Sequence, residues 1–172
     1  MAMKKKNLKL ILFGFSGFFL SFLFYLISWS QEGNKVPFPE DIKSLIQVEE
    51  GEIEKGNPLM GIIPGLHRTY LNDIAYEHFK KYIVDYKAGK TPPPFPEGSY
   101  IVLVNYEDKE GKKPRLFIVM HKKKEYGQTG GWGWEAFKPD GTRIVRNPDK
   151  DCTNCHYKGT KDWDGTFFSH YK

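Results

Sequence analysis

The spacing of hydrophobic positions predicts one well-defined helix in the middle of the chain. Apolar residues recur at about every third or fourth position over residues 73–88, which is the period of an amphipathic helix. Asn72 precedes this stretch with a side chain that commonly caps helices, and Gly89 follows it. A shorter stretch over residues 41–48 predicts a second, short helix.

Three later segments are short and rich in β-branched or aromatic residues, namely residues 100–104, 116–120 and 132–137. They predict three strands, the first two joined as a hairpin by the polar turn at residues 107–111. Strands that are apolar at consecutive positions need cover on both faces. We expect the helix to cover one face and a cofactor the other. The resulting fold is α+β, with an antiparallel β-sheet packed with helices.

The longest apolar run, residues 10–29, follows three consecutive lysines at the amino terminus. About 20 apolar residues can cross a bilayer as a helix, and the preceding lysines predict that the amino terminus stays in the cytoplasm. An uncleaved signal anchor is favoured over a cleaved signal peptide, because no Ala-x-Ala pattern follows the run. We therefore expect residues 1–30 to be the anchor or signal peptide and residues 31–39 a linker. Residues 40–172 form the domain, in the periplasm or on the outer face of the cytoplasmic membrane.

The net charge of +5 at pH 7 does not indicate a nucleic-acid-binding protein. Four of the 26 basic residues lie within residues 1–30, which contain no acidic residue, so the rest of the chain has 22 basic and 21 acidic side chains. A nearly neutral domain produces too weak a field to attract a polyanion. The later basic run at residues 122–124 is typical of a solvated strand end or of protection against edge pairing.

Both cysteines of the chain lie in a Cys-x-x-Cys-His motif formed by Cys152, Cys155 and His156. Two thiols at this spacing can add to the two vinyl groups of one porphyrin edge, and the adjacent histidine is then placed to ligate the iron. A disulfide would not require His156, a thioredoxin-type pair needs a preceding strand, and zinc needs four ligands. The motif predicts one covalently attached haem c with His156 as the metal ligand.

The group opposite His156 decides between a ligand-binding site and a plain electron carrier. The late position of the motif, after a β-rich body, favours a pocket built by the sheet with an open iron site. The side chains that could instead close the sixth position are Met60, Met120, His67, His78, His121 and His170. A strand methionine such as Met120 is more often core, and we expect His78 and His121 to be solvated.

The order of these segments resembles the cytochrome P460 family, which includes the beta-type cytochromes c-prime. The resemblance runs from about Arg68 to Lys172. Its pieces are residues 69–75, 95–102, 117–120, 131–137 and 152–156, with a tail through Phe167 and Phe168. It implies an antiparallel sheet packed with helices, often in a homodimer, and a five-coordinate haem with His156 as the proximal ligand.

Two functions are known in the family that the chain resembles. The P460 members oxidise hydroxylamine and carry a lysine bonded to the porphyrin, whereas beta-type cytochromes c-prime lack that bond and bind nitric oxide in an apolar pocket. The family's lysine lies five positions after the glycine of a Phe-x-x-Gly segment; counted from Gly98, this chain has Leu103 there. Leucine cannot form the bond, so Leu103 is either a pocket wall that excludes water and anions or an ordinary core residue.

Phe117 and Trp134 are candidates for further pocket walls, and Glu135 is either a distal proton relay or a solvent-facing strand residue. These residues predict an exported mono-haem c-type cytochrome whose open distal site binds or converts a small nitrogen oxide, either nitric oxide or hydroxylamine. A simple electron-transfer cytochrome with a six-coordinate haem is the alternative. Hydroxylamine oxidation, with another lysine such as Lys113 reaching the ring, is a third hypothesis. We expect a redox partner protein, and the family resemblance adds a homodimer.

Overall fold

The computed structural model describes residues 36–145 and 147–168, which form a five-stranded sheet with helices. The strands are β1 (Ile46–Ile53), β2 (Gly65–Leu71), β3 (Tyr100–Tyr106), β4 (Pro114–Lys122) and β5 (Trp132–Phe137). The helices are α1 (Asp73–Lys87), α2 (Pro148–Asp151) and α3 (His156–Thr160). Every neighbouring pair of strands is antiparallel, in the order β1-β2-β3-β4-β5. The predicted α+β class with an antiparallel sheet is confirmed.

The predicted membrane or signal helix at residues 1–30 lies outside the described residues. Within residues 36–145 and 147–168, no helix has the length and apolar character needed to cross a membrane.

Helix α1 begins where the sequence predicts because Asn72 caps it. The Asn72 side-chain oxygen accepts a hydrogen bond from the Ala75 backbone N–H at 3.0 Å, which satisfies one of the unpaired donors of the first turn. The same oxygen accepts from the Tyr100 N–H at 3.1 Å, and the amide nitrogen donates to the Gly98 carbonyl at 2.9 Å. One side chain therefore starts α1 and also fixes the entry to β3.

The helix predicted over residues 41–48 is wrong. Residues Ile42–Ser44 form a single 3₁₀ turn, and the chain then enters β1. In β1, exposed residues alternate with half-buried ones, interrupted by a register shift between Gln47 and Glu49. An edge strand with a bulge and many glutamates carries only a weak two-residue period, and this is why the sequence did not reveal β1.

The two faces of the sheet carry separate hydrophobic clusters. On one face, here called the helix face, Leu71, Ile101, Met120 and Trp134 lie in register on four neighbouring strands. They pack in one cluster with residues of α1 and with Phe168, near the end of the described chain.

The opposite face carries Val102, Phe117 and Phe137, and the chain before β1 covers it. Val36 is buried there, and the ring of Phe38 makes edge-to-face contacts with Phe117 and Phe137 at centroid distances of 5.5 and 5.3 Å. The expectation that the helix and the cofactor cover opposite faces is therefore not met. Residues 36–38, from the segment predicted as a linker, supply the second cover instead.

Candidate haem site

The Cys-x-x-Cys-His motif lies in a single turn at the junction of α2 and α3. The backbone N–H groups of Cys155 and His156 both donate to the Cys152 carbonyl, at 3.2 and 3.0 Å. Cys152 is half-buried and packs against the cluster of the helix face, whereas Cys155 is exposed. The turn thus holds both sulfur-bearing side chains and His156 together at the edge of that cluster.

The His156 ring is held by one hydrogen bond and by aromatic contacts. Its Nδ1 lies 2.9 Å from the Gly165 carbonyl oxygen; because a carbonyl only accepts, Nδ1 carries the proton and Nε2 retains its lone pair. The ring contacts Phe167 edge-on at 4.7 Å and lies 6.2 Å from the Trp134 ring. Burial lowers the pKa of His156, opposed by the hydrogen bond to Gly165, and so favours the neutral imidazole that binds metals.

Helix α1 supports the segment that follows the motif. The Tyr82 hydroxyl lies 2.9 Å from the Thr166 hydroxyl and donates to the Trp163 carbonyl at 3.3 Å. Burial raises the pKa of Tyr82 to about 12. Phe79 contacts Phe168 at a ring distance of 4.8 Å. These contacts attach the segment that carries the Gly165 carbonyl to the same face of the sheet.

A half-exposed aliphatic strip lies in the middle of the helix face. Leu103 on β3 and Ile118 on β4 are paired in register, and both are only half-buried. Toward one end of the strands, the adjacent pair on this face, Ile101 and Met120, is buried; toward the other end, Leu116 is buried. Aliphatic side chains on central strands that are less buried than their neighbours mark a place where an apolar group can pack.

Of the predicted pocket residues, Leu103 and Trp134 lie on the helix face, but Phe117 does not. Phe117 belongs to the opposite face, beneath Phe38. Neighbouring residues of a strand point to opposite faces, so Ile118 takes the place on the helix face that was expected for Phe117.

Glu135 also lies on the opposite face. It is buried, at 6% exposure, and one carboxylate oxygen accepts from the Arg143 guanidinium at 2.7 Å. It is therefore neither a solvent-facing residue nor a group on the helix face.

Two of the candidate sixth ligands lie on the helix face. Met120 is a buried member of its main cluster. His67, on β2, is 8% exposed, and its Nδ1 is buried without a hydrogen-bond partner among the described residues. Its ring lies over Gly51, the paired residue on β1, where a Cβ would come within 2.9 Å of the ring.

The other candidate ligands are placed elsewhere. His78 and His121 are half-buried rather than solvated. The ring nitrogen Nε2 of His78 is hydrogen-bonded to the Pro93 carbonyl oxygen at 2.9 Å. His121 lies on the opposite face against Tyr100. Met60 is exposed, at 38%. His170 lies outside the described residues.

The residues on the helix face fit a haem by three independent criteria. His156 has Nδ1 engaged and Nε2 available, and Leu103 and Ile118 offer apolar surface. The buried Trp134 Nε1 has no hydrogen-bond partner in the part of the chain that the structure describes. A buried N–H normally has a partner, and a porphyrin with its propionates supplies both apolar faces and acceptor oxygens. Sequence reasoning missed Ile118 and Gly165. The alternation of β4 and the Asp-Gly turn signal at residues 164–165 were the clues to them.

Comparison with known protein families identifies the group to which the chain belongs. A family model described as Cytochrome P460 matches residues 39–168, and the matched range includes the whole sheet, helix α1 and the Cys-x-x-Cys-His motif. A search of curated proteins finds no significant match. Because the family match covers most of the chain, the protein belongs to the cytochrome P460 family of haem-binding c-type cytochromes.

Proposed function

We propose that this protein is an exported mono-haem cytochrome c whose open distal site binds a small nitrogen oxide. The favoured ligand is nitric oxide. Cys152 and Cys155 would hold the haem covalently, and His156 would ligate its iron. The bound haem would supply a metal that can bind a diatomic ligand. The observation that carries the proposal is the half-exposed strip of Leu103 and Ile118, on the sheet face that also carries Trp134 beside His156.

The side chains of the aliphatic strip favour a neutral ligand because they are apolar. Leu103 and Ile118 offer neither a charge nor a hydrogen-bond donor, so an anion or a water molecule in contact with them loses its solvation without replacement. Thr69 lies beside Leu103 on β2, but its hydroxyl already donates to Glu49 at 2.9 Å. A neutral diatomic molecule loses little on entering such surroundings.

Hydroxylamine oxidation has less support from these residues. Leu103 has no nitrogen that could bond to the porphyrin, and Lys113 is exposed in the turn between β3 and β4. Lys113 lies beyond the end of β3, and the remainder of that strand separates it from Leu103. The aliphatic strip therefore gives no support to the hypothesis that Lys113 reaches the porphyrin.

An electron carrier with a six-coordinate haem is the second candidate. One observation favours it: His67 lies on the helix face with a buried nitrogen that has no partner within residues 36–145 and 147–168. Met120 is the other side chain on that face that could ligate iron, although it packs among Ile101 and Trp134 as a core residue. Either ligand would close the site to nitric oxide.

The test is the optical spectrum of the matured protein, oxidised and reduced, before and after addition of nitric oxide. We expect a high-spin spectrum that shifts on adding the gas and is unchanged in Met120→Ala and His67→Ala. A low-spin spectrum indifferent to nitric oxide would establish the electron carrier instead, and the variant whose spectrum changes would identify its ligand. An unusually red-shifted absorption band in the reduced protein would indicate a porphyrin cross-link. That result would favour hydroxylamine oxidation instead.

Covalent attachment has its own test in the same material. Cys152→Ser and Cys155→Ser should each remove one thioether bond, and the double variant should release its haem into acidified organic solvent. Haem that stays with the double-variant chain under these conditions would contradict attachment through this motif. Finding wild-type haem in the membrane or periplasmic fraction of the expression host checks export and shows whether the protein is anchored or secreted.

A further inference from the structure

We propose that Asp164 and Lys122 are positioning residues for His156. Their buried ion pair holds the turn whose Gly165 carbonyl accepts the His156 Nδ1 proton, and thereby sets how strongly Nε2 donates to a metal. The inference rests on the proposed ligation of iron by His156. Both residues lie outside the motif and the aliphatic strip.

The turn itself has an unfavourable backbone conformation. Asp164 and Gly165 have successive φ angles of +51° and +73°, both in the left-handed region. Asp164 is the one non-glycine residue with positive φ in the part of the chain that the structure describes. Left-handed conformations of non-glycine residues persist where the surroundings determine them.

Contacts from three separate segments hold Asp164. Its carboxylate oxygens accept from Lys122 Nζ at 2.8 and 2.9 Å, and one of them also accepts from the Phe95 backbone N–H at 2.7 Å. Its carbonyl accepts from the Trp132 indole N–H at 2.7 Å. Phe95 precedes β3, whereas Lys122 ends β4 and Trp132 begins β5. The turn is thereby fixed to the sheet through both its backbone and its side chain.

The Lys122–Asp164 pair is buried, with side chains only 11% and 12% exposed. Lys122 was expected to be a solvated strand end, but its ammonium group lies 4.8 Å from the centre of the Trp132 ring. Desolvation offsets much of the attraction in a buried ion pair, so such a pair adds little net stability. The pair nevertheless fixes geometry, because either buried charge is strongly destabilising without its partner and the two groups therefore stay together.

The geometry matters because the Gly165 carbonyl touches His156 directly. A hydrogen bond from Nδ1–H to a carbonyl raises the basicity of Nε2 and orients the ring. A more basic ligand strengthens the iron–nitrogen bond and stabilises oxidised iron, which lowers the reduction potential. Displacement of the turn by loss of the ion pair therefore weakens the iron–histidine bond and raises the potential.

The experiment uses the matured holoprotein and two variants of the pair. Asp164→Asn preserves shape and tolerates positive φ, but it loses the charge that faces Lys122. Lys122→Met keeps the apolar stem and removes the ammonium group. Glu97→Gln is the control, because it breaks an exposed ion pair with Lys124 in which the atoms are 3.5 Å apart. The readouts are the iron–histidine stretching vibration of the reduced protein and its midpoint potential.

We expect Asp164→Asn and Lys122→Met each to shift the vibration to lower frequency and to raise the potential, and Glu97→Gln to change neither. The double variant should shift no further than the larger single shift, because both changes break one interaction. A vibration and potential that stay at wild-type values in folded Lys122→Met, with only a lower melting temperature, would overturn the inference. Absence of the vibration from the wild type would instead contradict the proposed open, five-coordinate site with His156 as ligand, and so separates the two proposals.

Discussion

At the scale of single residues, Leu103 is the side chain on which ligand selectivity depends. Shortening it in Leu103→Ala removes aliphatic cover and admits water, which restores part of the solvation that an anion loses on entry, about 1–3 kcal/mol. We expect the affinity of the oxidised holoprotein for azide to rise roughly tenfold, equivalent to about 1.4 kcal/mol. Titration followed in the optical spectrum measures the change.

The neighbouring residue provides a matched control for this substitution. Val102 is fully buried on the opposite face, so Val102→Ala should lower the free energy of unfolding by about 2 kcal/mol without altering azide affinity. Equal azide affinity in Leu103→Ala and the wild type would show that Leu103 is an ordinary core residue.

The difference between Leu103 and Phe117 shows how far residue-scale prediction reaches. Counting from Gly98 identified Leu103 as the position of the family's lysine, and the structure places it on the helix face together with Trp134. Phe117 was predicted as a further pocket wall, but it lies on the opposite face. Both faces of β4 are apolar, so composition does not indicate which set of alternate residues faces the motif. Asp164 and Lys122 were not predicted as a pair because their contact joins residues 42 positions apart.

At the scale of elements, the Asn72 cap tests how α1 and β3 are joined. Asn72→Ala removes the cap, worth about 1 kcal/mol, together with two further hydrogen bonds of about 0.5–1.5 kcal/mol each. We expect the free energy of unfolding to fall by roughly 2–4 kcal/mol, measured by urea denaturation of the holoprotein. Asn57 provides the control, because it caps only the 3₁₀ turn Pro58–Gly61 through one exposed hydrogen bond. If Asn57→Ala lowered the free energy of unfolding equally, the link between α1 and β3 would contribute no more to stability than an exposed cap.

Elements with strong local signals were predicted, and elements defined by tertiary contacts were not. Helix α1 has both an apolar period and a cap, and β5 begins and ends at the predicted residues, 132 and 137. In β1, glutamates alternate irregularly around a bulge, and the strand exists through its pairing with β2. The pattern of one segment carries no information about such a partner.

At the scale of the whole molecule, the distribution of cover over the sheet was beyond sequence reasoning. The apolar strands correctly required cover on both faces, but residues 36–38 could not be recognised as one of the covers because a Pro-Phe-Pro segment reads as a linker. Once Val36 and Phe38 cover the opposite face, the helix face is left for α1 and the haem motif together. The aliphatic strip is the part of that face that α1 leaves half-exposed.

This arrangement predicts that the haem is part of the hydrophobic core rather than an attachment to its surface. Covering about 100 Å² of the strip would add roughly 2.5 kcal/mol at 25 cal/mol per Å², and a domain of this size gains roughly 10 °C in melting temperature from that. We expect matured wild type to melt about 10 °C above the Cys152→Ser/Cys155→Ser double variant produced without haem, as measured by calorimetry. Wild-type protein produced without haem maturation separates the effect of the haem from that of the serines, and it should melt with the double variant. Equal melting temperatures for the matured and haem-free wild type would mean that the haem lies outside the core, and Leu103 would then have no part in ligand binding.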